Sequence, residues 1–266
     1  MPPSLFRYYP ANLQTLENVK RQCFYFGSVA DFNDPFECHI LPPAAKDDNA
    51  SFQEFRDHYT QNPEIPMEIR SQLEHMDMAA FSRLIKKVAI DSLVKTREDF
   101  IAQRGVTCFS ERNENLLMWS HYSSGGAGLC LEFDTASDVF RKARKVQYCE
   151  KPPEIDALEV TLHSIKDQDA TWIEKLYCTK PMDWCYEQEW RVIHVQRGAV
   201  YHYPKECLKG VYFGPRCAFH FIETVCLILQ GQNRDVSFWR GSMSHTEYAV
   251  EFTKFTYTPA ADVPRS

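Results

Sequence analysis

The amino-acid sequence predicts an α+β fold, a mixed and mostly antiparallel sheet carrying a helical insertion at about residues 51–103. Short apolar runs bounded by Gly, Pro, Asn and Asp recur on both sides of that insertion, which is the texture of strands and turns. Residues 51–103 instead carry Glu, Gln, Arg, Lys and Met at helical spacing, with few β-branched runs. The strands are too short and their punctuation too irregular for a doubly wound parallel sheet. No linker divides the 266 residues cleanly, so a single α+β domain over residues 1–266 is expected.

Taken in order, Leu5 to Tyr9 is short and aromatic and ends at Pro10, which reads as a first strand. Asn12 can cap a helix to about Arg21, with Leu13, Leu16 and Val19 on one face. Cys23 to Phe26 is a second strand, and Gly27 to Glu37 a loop holding Asp31-Phe32-Asn33-Asp34-Pro35-Phe36-Glu37. Asn, Asp and Pro in succession favour a tight turn held by side-chain hydrogen bonds. Within 51–103, two or three helices are expected, the first set apart by Pro63-Glu64-Ile65-Pro66, with Met78, Phe81, Leu84, Ile85, Val88 and Leu93 as a buried stripe. Strands follow at Val106 to Phe109, Ala127 to Phe133 and Val146 to Cys149, with a short helix or turn at Asn115 to His121. Ile155 to Tyr177 reads as largely helical and Cys217 to Leu229 as a helix. Arg191 to Val195, Val200 to Tyr203, Leu208 to Phe213, Val236 to Phe238 and Tyr248 to Tyr257 complete the sheet. Pro259 to Ser266 reads as a loose tail.

Composition narrows the function classes. The chain is 44% hydrophobic, 14% aromatic and 25% charged, enough apolar surface for a large core and against disorder. A formal net charge of -6 gives no global attraction for nucleic acid or an anionic membrane. No apolar run approaches the ~20 residues that span a bilayer. The 10 cysteines form no Cys-x-x-Cys pair and lie mostly inside apolar runs, so buried, reduced thiols are expected in place of zinc ligands. With no basic-then-apolar segment at the start, a soluble cytoplasmic protein is expected, with no membrane partner.

Three constellations offer chemistry. Trp184-Cys185-Tyr186-Glu187-Gln188-Glu189-Trp190-Arg191 sets two carboxylates two residues apart among aromatics. On one strand, Glu187 and Glu189 would share a face and perturb each other's ionisation. Cys108-Phe109-Ser110, Met118-Trp119-Ser120-His121-Tyr122 and Gly125-Gly126-Ala127-Gly128 join a strand-end serine, flat rings with polar tips and small residues where backbone can approach a ligand. The aromatics there are equally consistent with core packing, and the glycines with a simple turn, since no helix follows them as in a dinucleotide loop. Arg7-Tyr8-Tyr9 places an arginine, able to fork onto a phosphate or carboxylate, on the first strand. His121 with Glu189 suits general acid/base work. His121, Asp34, Glu187 and Glu189 could alternatively ligate a cation in a nuclease. No metal is expected from the spacing, which does not show convergence.

The set Phe6-Arg7-Tyr8-Tyr9, Phe32-Asn33-Asp34-Pro35-Phe36-Glu37, Cys108-Phe109-Ser110, Met118-Trp119-Ser120-His121-Tyr122 with Gly128, and Lys180, Trp184, Glu187 and Glu189-Trp190-Arg191 resembles a bacterial domain-of-unknown-function family, number twenty-nine seventy-one. Some members of that family sit near phage-defence and abortive-infection genes. The order of an aromatic first strand with Arg7, a helix start at Asn12-Leu13, and a late Glu189 opening an apolar strand is also similar to ADP-ribosyltransferases of the DNA-modifying toxin type. That second resemblance implies a split sheet, NAD as substrate, a macromolecular acceptor of protein or nucleic acid, and a neutralising partner protein. It implies an NAD contact from Arg7, with Tyr8 beside it, a nicotinamide pocket shaped by Ser110 or Tyr122, and catalysis by Glu189 with Glu187; the residues themselves add Trp119 to the pocket and His121 to the catalytic set. Glu189 would hold the ribose and Glu187 would orient the nucleophile. A non-catalytic module that senses a nucleotide or a phage protein is the alternative reading.

Overall fold

A computed structural model describes residues 1–46, 49–165 and 171–259. It is an α+β structure whose largest element is a mixed, mostly antiparallel sheet. The chain forms two compact units: residues 1–31, 104–148 and 182–266, and residues 32–103 with 149–181.

The first unit is built on eight strands in the order β12-β11-β10-β4-β1-β3-β8-β5. Their spans are β1 Ser4–Tyr9, β3 Gly105–Ser110, β4 Leu129–Asp134, β5 Arg144–Lys145, β8 Glu189–His194, β10 Leu208–Phe213, β11 Ser237–Met243 and β12 Val250–Phe255. Only β10 and β11 pair in parallel, and helix α8, Phe219–Gln232, supplies their crossover. A ribbon of β2, Cys23–Tyr25, and β9, Val200–His202, completes the strands of this unit apart from β6, Gln147–Cys149, at its boundary.

Each face of the sheet follows from alternation along the strands. On β1, Leu5 and Tyr9 point into the main core, where Phe24 meets Phe109, Phe133, Phe140, Tyr201 and Tyr203 at ring-centroid distances of 5.2–6.5 Å. Burying each such ring contributes about 1.5–3 kcal/mol. Phe6 and Tyr8 point to the other face, where Trp119, Met118 and Cys130 form a second cluster. Helix α1, Leu13–Arg21, starts where expected: the Asn12 Oδ1 accepts the Thr15 N–H at 2.8 Å.

The second unit is largely helical. It holds α2 Asn49–Gln61, α3 Met67–His75 and α4 Met78–Gln103, with α6 Ala157–Ile165, α7 Thr171–Tyr177 and the short β7 Thr179–Pro181. The 51–103 helices therefore share their unit with residues 149–181. Pro63 and Pro66 fall between α2 and α3. The α4 stripe is Phe81, Ile85, Ala89 and Leu93, at four-residue steps. Leu84 and Val88, expected in it, are 40% and 45% exposed because they sit a quarter-turn off that line. The 32–37 turn forms as expected: the Asp34 carboxylate accepts the Phe36 N–H at 2.9 Å. Between Ile155 and Tyr177, the stretch 166–170 lies outside the described residues, as do residues 260–266 of the expected tail.

Among the described residues no helix is long and apolar enough to cross a membrane. The cysteines are free thiols, mostly buried, with Cys185 exposed.

Candidate functional site

Strand pairing gathers most of the candidate residues. Phe6 of β1 pairs with Ser110 of β3, and Ser110 pairs with Glu189 of β8. Paired residues on neighbouring strands share a face, so Phe6, Tyr8, Ser110, Glu189 and Arg191 line one side of the sheet. Helix α5, Leu116–Tyr122, lies on that side, capped by the Asn115 side chain, which accepts N–H groups from Leu117 and Met118. The Asn115 amide also donates to the Tyr186 carbonyl at 3.2 Å. That bond ties α5 to the turn Met182–Glu187, which precedes β8.

Glu187 does not lie on a strand with Glu189. It ends a 3-10 turn, and Gln188 takes a left-handed conformation with φ 44 before β8 begins. The alternation rule therefore does not apply across this pair. What places Glu187 is the Ser110 hydroxyl, which donates to its carbonyl at 2.7 Å, and the Tyr122 hydroxyl, which donates to its carboxylate at 2.5 Å. Glu187 is 3% exposed.

Glu189 has a different setting. Its two oxygens accept the Arg191 Nε and Nη2 at 2.8 and 3.0 Å, a fork between residues i and i+2 of one strand. The Arg191 side chain is 0% and the Glu189 side chain 5% exposed. The Glu189 N–H donates to the Tyr148 hydroxyl at 2.8 Å. The period-two rule that the sequence invited for Glu187 and Glu189 holds for Glu189 and Arg191 instead.

The aromatics divide as well. Trp119 is 2% exposed, its indole N–H donates to the Asn113 carbonyl at 2.6 Å, and its ring meets Tyr8 edge-on at 5.1 Å and Phe252 at 5.8 Å. The Tyr8 hydroxyl donates to the Arg112 carbonyl at 2.9 Å, and burial drives its pKa far up, so it stays protonated. Both rings are thus committed to packing α5 on the sheet. His121 is exposed beside Tyr122 and Tyr186, at 6.3 and 6.2 Å between rings, and Trp184 lies 6.0 Å from Tyr186. These four form an accessible aromatic rim next to Glu187.

Arg7 lies on the opposite face of the sheet. Neighbouring strand residues alternate, so Arg7 cannot line the same surface as Tyr8. Its guanidinium packs over the Tyr9 and Phe109 rings at 5.3 and 5.7 Å, and Arg7 is partly buried there. The structure brings Tyr8, Ser110, Trp119, Tyr122, His121, Glu187 and Glu189 to one side and leaves Arg7 on the other.

The glycine segment is a turn, with Gly126 at φ 82 and its N–H donating to the Ser123 hydroxyl and the Trp119 carbonyl. At Gly128 a Cβ would stand 2.0 Å from the Tyr9 carbonyl oxygen, so the close approach made there is by the chain's own first strand. Asp34 and Lys180 belong to the second unit. Among the described residues no three His, Cys, Asp or Glu side chains are arranged to hold a metal ion. Arg191 and Tyr148 are the site residues that sequence reasoning passed over. Arg191 was legible from its spacing to Glu189, whereas Tyr148 depends on long-range packing alone.

Residues 118–192 match a family described as a protein of unknown function (DUF2971). That stretch runs from α5 through β8 and so includes Tyr122, Glu187, Glu189 and Arg191. No curated protein and no solved structure matches the chain.

Proposed function

We propose that this protein is an NAD-consuming enzyme of the ADP-ribosyl-transferring kind, with Glu187 as its catalytic carboxylate. The observation that carries the reading is the buried Glu187 carboxylate, oriented by the Tyr122 hydroxyl and rimmed by His121, Tyr186 and Trp184. Cleavage of the nicotinamide–ribose bond develops positive charge on the ribose. A fixed carboxylate in a poorly solvated site stabilises that charge without reorganising. Accessible flat rings suit a nicotinamide or adenine. His121, exposed at the rim, is positioned for proton transfer at an acceptor.

The roles of the two glutamates change from those the resemblance implied. Glu189 is neutralised by Arg191, and a carboxylate that already serves a buried guanidinium is a weak stabiliser of a second cation. Glu189 and Arg191 are therefore positioning residues that fix the start of β8. Ser110 acts in the same way, through the Glu187 carbonyl. In this reading the acceptor is a protein or nucleic acid, the setting is bacterial anti-phage defence, and a neutralising partner holds the activity in check.

The experiment incubates the protein with NAD labelled on the adenylate, together with protein, DNA and RNA acceptors. Glu187→Gln is expected to lower turnover ~10²–10³-fold with folding intact. Absence of both NAD binding and turnover in the native protein removes NAD from the proposal. Undiminished turnover in Glu187→Gln removes Glu187 from it. A second reading, a non-catalytic nucleotide-sensing module, is favoured by the commitment of Trp119, Tyr8 and Glu189 to structural contacts. It expects ligand binding at the aromatic rim with no turnover.

A further inference from the structure

The sheet face that carries Ser110 holds a third carboxylate, which the proposed chemistry does not use. Strand register sets Ser110, Phe6, Glu132, Gly210 and Ser237 in one row across β3, β1, β4, β10 and β11. Paired residues share a face, so Glu132 lies on the side of Ser110, two strand spacings or about 10 Å away. Glu132 is half-buried. Its Oε1 accepts the Ser4 hydroxyl at 2.8 Å and its Oε2 the Tyr212 hydroxyl at 2.9 Å. A Cβ on Gly210 would stand 2.9 Å from Oε2, so the carboxylate fills the space that a side chain at 210 would take. Beside it Phe6 and Tyr212 meet edge-on at 6.0 Å, and Trp239 stacks on Tyr212 at 5.6 Å. All three rings are half-buried.

We infer that Glu132, with Phe6 and Tyr212, is the docking point for an arginine side chain of a polypeptide partner. The charge is complementary. Among the described residues Glu132 has no ion-pair partner. Lysines at neighbouring strand positions are engaged elsewhere, Lys209 with Asp134 at 3.2 Å and Lys254 over the Trp239 ring at 5.7 Å. A carboxylate drawn partly out of water favours a counter-charge. The acceptor geometry selects a guanidinium. Each carboxylate oxygen has two acceptor positions, and a hydroxyl takes one on each. The two that remain match the parallel N–H pair of an arginine fork. Burial, and then the Glu132 carboxylate, raise the Tyr212 pKa, so its hydroxyl keeps the proton that holds Oε2. A guanidinium also stacks on aromatic rings, which Phe6 and Tyr212 supply. The source is a polypeptide because the same aromatic cluster continues from Phe6 and Tyr212 to Tyr122 and Tyr186, giving residues that flank the arginine a surface to lie on.

Binding at Glu132 does not involve NAD. That the bound polypeptide is the acceptor presented to Glu187 rests on the reading proposed above. The test titrates the full chain, without NAD and at fixed ionic strength, with the end-blocked peptide Gly-Ser-Arg-Ser-Gly, and follows binding by ligand-observed NMR. The same peptide with citrulline for arginine keeps the shape and loses the charge, and it is expected to bind at least ~10-fold more weakly. A lysine peptide is expected to fall between the two. Glu132→Gln is expected to bring the arginine peptide down to the citrulline level. Phe6→Leu keeps an apolar side chain in the row and is expected to weaken the arginine peptide more than the citrulline one. Equal affinity for the arginine and citrulline peptides in the native protein overturns the assignment without recourse to any variant. So does a folded Glu132→Gln protein that binds the arginine peptide as tightly as the native one. A protein that prefers the arginine peptide and leaves NAD intact keeps the docking point and loses the acceptor role.

Discussion

Replacing Glu189 and Arg191 singly and together tests the division of labour between the two glutamates. The pair is a two-bond fork at 2.8 and 3.0 Å with side-chain exposures of 0% and 5%, so solvent screens it little. Removing one member of such a pair costs about 3–5 kcal/mol, mostly because the remaining charge loses its counter-charge away from water. Glu189→Gln and Arg191→Met are each expected in that range. The double variant should cost less than the sum, with a coupling of ~1–3 kcal/mol. Urea unfolding followed by tryptophan fluorescence measures this in the right part of the molecule. Trp119, Trp184, Trp190 and Trp239 lie in the sheet unit and only Trp172 in the other. Additive single effects, within ~0.5 kcal/mol, would show that the fork contributes nothing, and Glu189 would return as a candidate for direct chemistry.

Other outcomes follow from the same geometry. Tyr122→Phe removes the hydrogen bond to the Glu187 carboxylate and should lower kcat ~10–100-fold with a smaller change in KM, as steady-state NAD kinetics would show. Under native conditions at pH 8, Cys185 should react first with a thiol reagent, and Cys185→Ser should remove the fast phase. Burial pushes Cys207 and Cys217 up to about 11 and Cys226 up to about 12, so those thiols should react only on unfolding. Burial alone would raise the Glu111 carboxyl, but the Lys145 ammonium and the Trp190 indole N–H hold it below its ordinary value. Its folded pKa is thus lower than its unfolded one, and the unfolded state binds more protons between the two. Glu111 therefore contributes stability above the unfolded value of ~4.3 that is lost as pH falls through the folded one. Glu111→Gln should flatten the acid limb of a melting-temperature profile, and an unchanged limb would refute the pairing.

Local signals carried the fold class. The strands at Leu5 to Tyr9, Val106 to Phe109 and Leu208 to Phe213 were legible because each is a short apolar run closed by turn residues. The Asn12 cap was legible because a short polar side chain before an apolar helical period has little else to do. The sequence also marked two distant blocks, Met118 to Tyr122 and Glu187 to Arg191, that the fold brings to one face. It could not say which residue of each block turns inward.

Those choices belong to the tertiary structure. One left-handed residue, Gln188, takes Glu187 off the strand and onto Tyr122, a change of backbone that composition does not announce. Strand register puts Ser110 opposite Glu189, and the alternation of β1 sends Arg7 and Tyr8 to opposite sides. Chain sequence by itself determined the elements and the residues available to a site, because helix and strand periods are local. Which carboxylate meets the Tyr122 hydroxyl, and how far from water the Glu189–Arg191 fork lies, was decided only by packing between segments far apart in the chain, because hydrogen bonding and solvation depend on what folds against each group.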